Sequence, residues 1–164
     1  CFRLAPWSSN LRKRLVKAPK LHFYDAGLVC FLLGIRSARQ LETHPLRGAI
    51  FETWVASEVV KMHLHQGREA AAYHYREVAG REVDLVLQSS DRVRLLEVKS
   101  ARTVDASWLG SLMDAKTSLE AASPAQPFDP ILIYGGDQQQ VRSGVHVHPW
   151  DRLEGLGPLT ETPG

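Results

Sequence analysis

The sequence has little cysteine and no long apolar run. Its two cysteines, Cys1 and Cys30, form no C-x-x-C pair, which excludes a disulfide framework and a cysteine-based zinc site. Cys30 lies within an apolar segment and is predicted to be a small core residue. The longest apolar run, residues 28–35, is far shorter than the about 20 residues of a membrane span. We therefore expect a protein of the reducing cytoplasm with no membrane partner.

Several functional motifs are also missing. No phosphate-binding loop of the form G-x-x-x-x-G-K-[S/T] occurs, so the chain carries no ATPase motif of its own. The N-terminus lacks a secretory leader and an initiator methionine, and we expect the chain to be part of a longer protein. The net charge of +2 is too small to indicate a nucleic-acid partner by itself.

What is present is the residue mixture of a globular domain, with 44% hydrophobic and 23% charged residues. Apolar residues at helical spacing predict short helices over 25–33 and 37–43 and long helices over 46–66 and 105–122. Alternating or continuous apolar runs predict strands over 72–76, 81–88, 93–99, 131–134 and 145–148. From the first long helix onward the order is α-β-β-β-α-β-β, which predicts an α/β domain with a mixed sheet flanked by helices.

The composition changes at both ends of this predicted core. Residues 1–20 form a basic segment, which we interpret as a linker or junction to a preceding domain, and residues 21–150 form the predicted domain. Residues 151–164, rich in glycine and proline, are predicted to be loosely ordered. The basic residues of the first segment can contact phosphates or form a solvated face at the junction; they are Arg12, Lys13, Arg14, Lys17 and Lys20.

Two of the predicted strands carry charged residues at regular spacing. Alternation along 82–87 predicts Val83, Leu85 and Leu87 on one face and Asp84 on the other. Thirteen residues after Asp84, the next strand contains Glu97-Val98-Lys99, so Glu97 and Lys99 share a face. A hairpin of these strands brings Asp84, Glu97 and Lys99 together.

This constellation has the chemistry of phosphodiester hydrolysis. Two carboxylates and water supply the oxygen ligands that Mg²⁺ requires, and a neighbouring lysine can orient or help deprotonate the attacking water. The alternative interpretation is a surface hairpin with an ordinary Glu–Lys cross-strand pair. Because the spacing of Asp84, Glu97 and Lys99 is short and common, it does not separate the two interpretations.

The surrounding motifs carry a family resemblance. Residues 80–86, with the sequence GREVDLV, followed by LEVKS at residues 96–100, resemble the PD-(D/E)xK nuclease superfamily. The chain resembles more closely the C-terminal domain, of unknown function, of a family of prokaryotic AAA-type ATPases. The segments that carry this second resemblance are residues 17–28, 48–58, 73–76, 80–86, 96–100 and 133–136. They span most of the chain from residue 10 to residue 150.

The resemblance implies a restriction-endonuclease-like fold and a divalent-metal-dependent nuclease. Asp84, Glu97 and the Val98 carbonyl would hold Mg²⁺ or Mn²⁺, and Lys99 would position the water. Glu52 matches the superfamily's helical glutamate and would complete or tune the metal site, although it also fits a solvated helix edge equally well. DNA is the expected substrate, and an AAA-type ATPase domain, covalently linked or associated, is the expected partner.

Some alternatives stay open. Glu58 lies near the centre of the apolar stripe of the long helix, where an unpaired carboxylate is costly; we expect it to pair with Arg76 or Lys99, or to join the site. The domain as a whole could instead be a non-catalytic module that binds DNA or protein under control of the ATPase. A third alternative is a structural or oligomerisation domain with relic charges.

Overall fold

A computed structural model describes residues 1–8, 18–77 and 80–157. The strands are β1 (Phe2–Pro6), β2 (Lys20–His22), β3 (Ala72–Arg76), β4 (Glu82–Gln88), β5 (Val93–Lys99), β6 (Phe128–Tyr134), β7 (Gln140–Arg142) and β8 (Val145–Pro149). The helices are α1 (Ala26–Leu32), α2 (Ala38–Glu42), α3 (Arg47–Leu64) and α4 (Ala106–Ala122), followed by a 3-10 turn at Glu154–Leu156.

Within the described residues, the strands form one mixed sheet in the order β2-β1-β3-β4-β5-β6-β8-β7. β1 is parallel to β3, and β5, β6 and β8 are parallel to one another, whereas the remaining neighbours are antiparallel. The parallel β5–β6 pair is connected through α4, as a parallel connection requires. The predicted α/β class and the predicted core order are confirmed, with β7 as an additional strand.

The helix boundaries follow local signals in the sequence. The side chain of Asp25 caps α1 by accepting a hydrogen bond from the Leu28 N–H at 3.1 Å, and Asp105 caps α4 in the same way. Gly34 and Gly67 follow the ends of α1 and α3 with φ angles of 75° and 68°, a conformation that glycine adopts without strain.

Hydrophobic side chains pack on both faces of the sheet. On one face, the α4-side cluster joins the sheet to α4; it includes Val83, Val86, Leu95, Leu112, Leu119 and Leu132. On the other face, the α3-side cluster joins the sheet to α3; it includes Val55, Val59, Leu85, Leu96, Val98 and Ile133. The sheet is therefore the middle of three layers, and β5 and β6 contribute to both cores.

The sequence predicted no strand before residue 20, but β1 and β2 extend the sheet at one edge. β1 pairs with β2 on one side and with β3 on the other, so part of the segment assigned to a junction belongs to the sheet. Of the predicted basic stretch, Lys20 lies in β2, and residues 9–17 lie outside the described residues. At the other end, Leu153 and Leu156 are buried in the α3-side cluster.

Helix α1 differs from its prediction in its packing. It contains no buried residue, and Cys30 is only partly buried, so the prediction of a core cysteine is wrong. The reason lies in the tertiary structure, because α1 packs outside the sheet layer. The apolar composition of a segment does not predict whether the sheet covers it. In the described part of the chain, no helix combines the length and apolar character needed to cross a membrane.

Candidate functional site

The candidate site forms where β4 and β5 run side by side. Leu85 of β4 pairs with Leu96 of β5 in antiparallel register, so Asp84 and Glu97 occupy the next position of each strand. The Asp84 carboxylate accepts a hydrogen bond from the Val98 N–H at 2.9 Å, which fixes it against the backbone of β5. The structure thus brings the two predicted carboxylates to one place, as the hairpin predicts.

A β-bulge in β4 changes which of its side chains share a face of the sheet. Tyr73 pairs with Val86 and Tyr75 pairs with Val83, so β4 contains one more residue than β3 in this interval. Val83 consequently packs in the α4-side cluster, whereas Leu85 lies in the α3-side cluster. The prediction that Val83, Leu85 and Leu87 share a face is wrong, because strict alternation cannot anticipate an extra residue.

Glu97 and Lys99 contact each other directly. The Lys99 ammonium donates a hydrogen bond to Glu97 Oε1 at 2.5 Å, and the Glu97 side chain is only 14% exposed. Burial, followed by the charge of Asp84, raises the pKa of Glu97 to about 7 despite this lysine. Burial lowers the pKa of Lys99, but the hydrogen bond and charge of Glu97 outweigh it and leave the pKa above its usual value.

Asp84 is also an unusual carboxyl group. Its side chain is 13% exposed. Burial, followed by the nearby charge of Glu52, raises its pKa, and the Val98 N–H and the charges of Lys20 and Lys99 oppose the shift without cancelling it. The carboxylates of Glu52, Asp84 and Glu97 therefore interact electrostatically as one group.

Glu52 reaches this group from α3, together with a lysine that the site prediction missed. Lys20 Nζ lies 3.0 Å from Glu52 Oε1, 3.6 Å from Asp84 Oδ1 and 3.8 Å from Glu82 Oε2. Burial lowers the pKa of Lys20, but these carboxylates raise it by more. The interpretation of Glu52 as part of a solvated helix edge is wrong, since its charge is paired with Lys20. We call the group to which both belong the cluster; it consists of Lys20, Glu52, Glu82, Asp84, Glu97 and Lys99. Lys20 lies in residues 17–28, one of the segments that carried the family resemblance, and this is the sequence signal that could have identified it as a site residue.

A buried histidine lies behind Glu52. His22 is 4% exposed, its Nδ1 lies 3.2 Å from Thr53 Oγ1, and its Nε2 lies 4.0 Å from Glu52 Oε1. Burial, followed by the charge of Lys20, lowers the pKa of His22 to about 4. The ring is therefore neutral at neutral pH. Sequence reasoning did not single out this residue, because a lone histidine in a short strand carries no pattern.

Glu58 does not belong to this cluster. Its carboxylate pairs with Lys61 at 2.5 Å, three residues further along α3, and 35% of its side chain is exposed. The prediction of Arg76 or Lys99 as its partner is wrong, because a neighbour on the same helix turn is closer than either. Arg76 instead pairs with Glu82 at 2.8 Å.

The cluster fits a hard divalent cation by its donor chemistry. Asp84 and Glu97 offer carboxylate oxygens, the ligands that Mg²⁺ and Mn²⁺ prefer. The charge of a cation beside them would offset the burial, and the neighbouring carboxylate charge, that raise both pKa values. In the residues that the structure describes, no set of three or more His, Cys, Asp or Glu side chains is arranged to hold a metal ion. The fit therefore rests on two carboxylates with backbone and water oxygens.

A cavity of about 410 Å³ is lined in part by Phe51 and Ser100, the chain neighbours of Glu52 and Lys99. It opens between α1, α3 and the loops after β5 and β6, and its lining includes Cys30, Arg47, Phe51, Trp54 and Trp150. Arg47 closes one side by donating a hydrogen bond to the Ser100 carbonyl at 2.6 Å. The cavity is mainly apolar, in contrast to the neighbouring charged cluster.

The fold and cluster define an α/β domain with a buried carboxylate–lysine group. Residues 47–153 match the family model described as Domain of unknown function (DUF4143), and the chain belongs to this family. The family is a C-terminal domain of AAA-ATPase-associated proteins. Residues 1–39 match a second model, Domain of unknown function (DUF8612).

Two curated relatives cover nearly the whole chain. Uncharacterized proteins of Mycobacterium bovis and Mycobacterium tuberculosis are each 30% identical over 160 residues, which is 97% of this chain. The chain spans 34% of the length of each relative. No solved structure matches the chain at a significant level.

Proposed function

We propose that this domain is a divalent-metal-dependent nuclease that hydrolyses phosphodiester bonds of DNA and works with an AAA-type ATPase domain. The observation that carries the proposal is the largely shielded pair Asp84 and Glu97, which lie together on neighbouring strands, with Lys99 in contact with Glu97. Both cysteines are free, in agreement with a cytoplasmic location. A restriction-endonuclease-like core is part of the same proposal.

The proposal gives a role in this reaction to each predicted site residue. Asp84, Glu97 and the Val98 carbonyl would hold the cation, and Glu52 would complete or tune its coordination. A bound Mg²⁺ or Mn²⁺ polarises the phosphate and stabilises charge on the leaving oxygen. The Val98 N–H holds Asp84 at 2.9 Å, so this ligand is already oriented before the cation binds.

Lys99 would orient the attacking water. Its ammonium is held by Glu97 at 2.5 Å, and its raised pKa keeps it a hydrogen-bond donor at neutral pH rather than a general base. Lys99 would therefore position water and stabilise negative charge on the phosphate, and the proton of the water would leave to solvent or to a substrate oxygen.

A second candidate is a non-catalytic module that binds DNA or protein under control of the ATPase. It is favoured by the internal pairing of the cluster, in which Lys20 neutralises Glu52 and Lys99 neutralises Glu97. Charges that are paired within the protein can be retained for structure alone. The absence of a three-residue metal group in the described residues agrees with this candidate.

Cleavage assays on plasmid, linear and branched DNA with Mg²⁺ or Mn²⁺ separate the two candidates. We expect cleavage by the wild-type chain and a loss of at least about 100-fold in Asp84→Asn and Lys99→Met, because each removes a group that acts on the transition state. Asp91→Asn is the matched control, since Asp91 lies in the β4–β5 turn, where it pairs with Arg92. DNA binding without cleavage would favour the module, and a metal-free, DNA-independent oligomer would favour a structural role.

A further inference from the structure

Lys20 lies among three carboxylates of the cluster. Its ammonium lies within 3.0 to 3.8 Å of carboxylate oxygens of Glu52, Glu82 and Asp84. These three residues come from α3 and β4, so one side chain of β2 joins two other elements. The Lys20 side chain is 28% exposed, which leaves it partly shielded from solvent.

The placement of Lys20 is specific to this cluster. β2 is a three-residue strand at the edge of the sheet, paired with β1, and its middle residue, Leu21, is 60% exposed. An edge lysine on such a strand could extend into solvent, as lysines at sheet edges commonly do. Instead, the Lys20 side chain reaches inward, because three carboxylates in a half-buried place are unfavourable without a counter-charge.

A second polar group faces the same carboxylate. His22 Nε2 is buried and has no hydrogen-bond partner, and it lies 4.0 Å from Glu52 Oε1. Buried polar atoms are rarely left without a partner. His22 Nε2 is therefore a buried polar atom that faces Glu52 and remains available for a further interaction there.

We propose that Lys20 is a tethered cation that holds Glu52 and Asp84 in the absence of metal and competes with the divalent cation for them. The inference rests on the proposed metal site and adds its regulation. Metal binding requires the ammonium to leave, and the flexible four-carbon stem of lysine allows this without movement of the backbone. His22 and its contact with Thr53 keep β2 in place during the exchange.

The direct test is the affinity of the chain for Mn²⁺, measured by isothermal titration calorimetry without DNA. Lys20→Gln removes the charge and keeps a polar end group on a shorter stem, and we expect it to bind Mn²⁺ about tenfold more tightly than the wild type. Lys20→Arg keeps the charge and should stay near the wild-type affinity. Lys61→Gln is the matched control, because Lys61 also pairs with a glutamate of α3, at 2.5 Å, but outside the cluster.

A second readout is the rise in melting temperature on adding Mn²⁺, which should be larger for Lys20→Gln than for the wild type. If Lys20→Gln does not fold, Lys20→Met serves in its place. If the wild type binds Mn²⁺ and Lys20→Gln binds it equally or more weakly, the tethered-cation proposal is overturned but the proposed metal site is not. Binding by neither protein would overturn both proposals, and binding by the uncharged variant alone would support the inference.

Discussion

At the scale of single residues, burial disfavours the ionised form of the carboxyl groups in the cluster. Asp84 and Glu97 both have raised pKa values, first because they are buried and then because another carboxylate is near. Lys20 and Lys99 lie beside them and offset part of this cost. Such unfavourable arrangements concentrate at functional sites, although structural ion pairs also produce them.

The raised pKa of Glu97 makes stability depend on pH. The folded protein holds this proton up to about pH 7, whereas the ordinary pKa of a glutamate is 4.5. The contribution to stability is therefore fully present below pH 4.5 and is lost as the pH rises through 7. We expect the free energy of unfolding of the wild type, relative to Glu97→Gln, to fall by on the order of 2 kcal/mol between pH 5 and pH 8 without metal.

Urea denaturation at several pH values measures this difference. Glu120→Gln, which removes a carboxylate from the half-buried pair with Lys116 on α4, is the control variant. Parallel curves for wild type and Glu97→Gln would contradict the assigned pKa. Taking the difference between the two proteins is necessary because neutral His22, with its lowered pKa of about 4, makes stability rise over pH 4 to 6.5.

At the scale of elements, the end of β6 and the loop after β5 are in unusually close contact. The Gly135 N–H donates to the Ala101 carbonyl at 2.9 Å, and a Cβ at Gly135 would lie 2.5 Å from the Ser100 carbonyl oxygen. This contact follows directly after Lys99, so it supports the end of the strand that carries the candidate site. The close approach of the two backbones is the reason for a glycine at position 135.

Gly135→Ala should therefore destabilise the protein by about 2 to 3 kcal/mol, because the clash is with backbone atoms rather than a flexible side chain. Thermal or urea denaturation gives the value. Gly110→Ala is the matched control: no atom lies within 4 Å of its added Cβ, and in the middle of α4 it should stabilise by about 0.5 to 1 kcal/mol. A neutral Gly135→Ala would contradict the close approach.

At the scale of the whole molecule, one sheet serves two cores. Leu132 and Ile133 are adjacent residues of β6, each 0% exposed, yet Leu132 packs toward α4 and Ile133 toward α3. Loss of packing on one face weakens the strand that the other face needs. We therefore expect the two faces to unfold together.

Ile133→Ala should cost about 3 to 4 kcal/mol, since it creates a cavity at a fully buried position. Two single-tryptophan versions of the chain report the faces separately: Trp54 packs against the α3-side cluster and Trp108 against the α4-side cluster. Both probes should shift to the same lower urea midpoint with Ile133→Ala. A shift seen by Trp54 alone would mean that the faces unfold independently.

The sequence by itself determined the helices, five of the strands and the approach of Asp84 to Glu97, because periodicity, caps and glycines are local properties. Tertiary structure decided what depends on distant partners. β1 and β2 were not predicted, and they form strands because the sheet offers an edge to pair with. The bulge in β4 and the entry of Lys20 into the acidic cluster arise from packing between elements that are distant in sequence. The pairing of Glu58 with Lys61 is instead a local contact between neighbouring turns of α3.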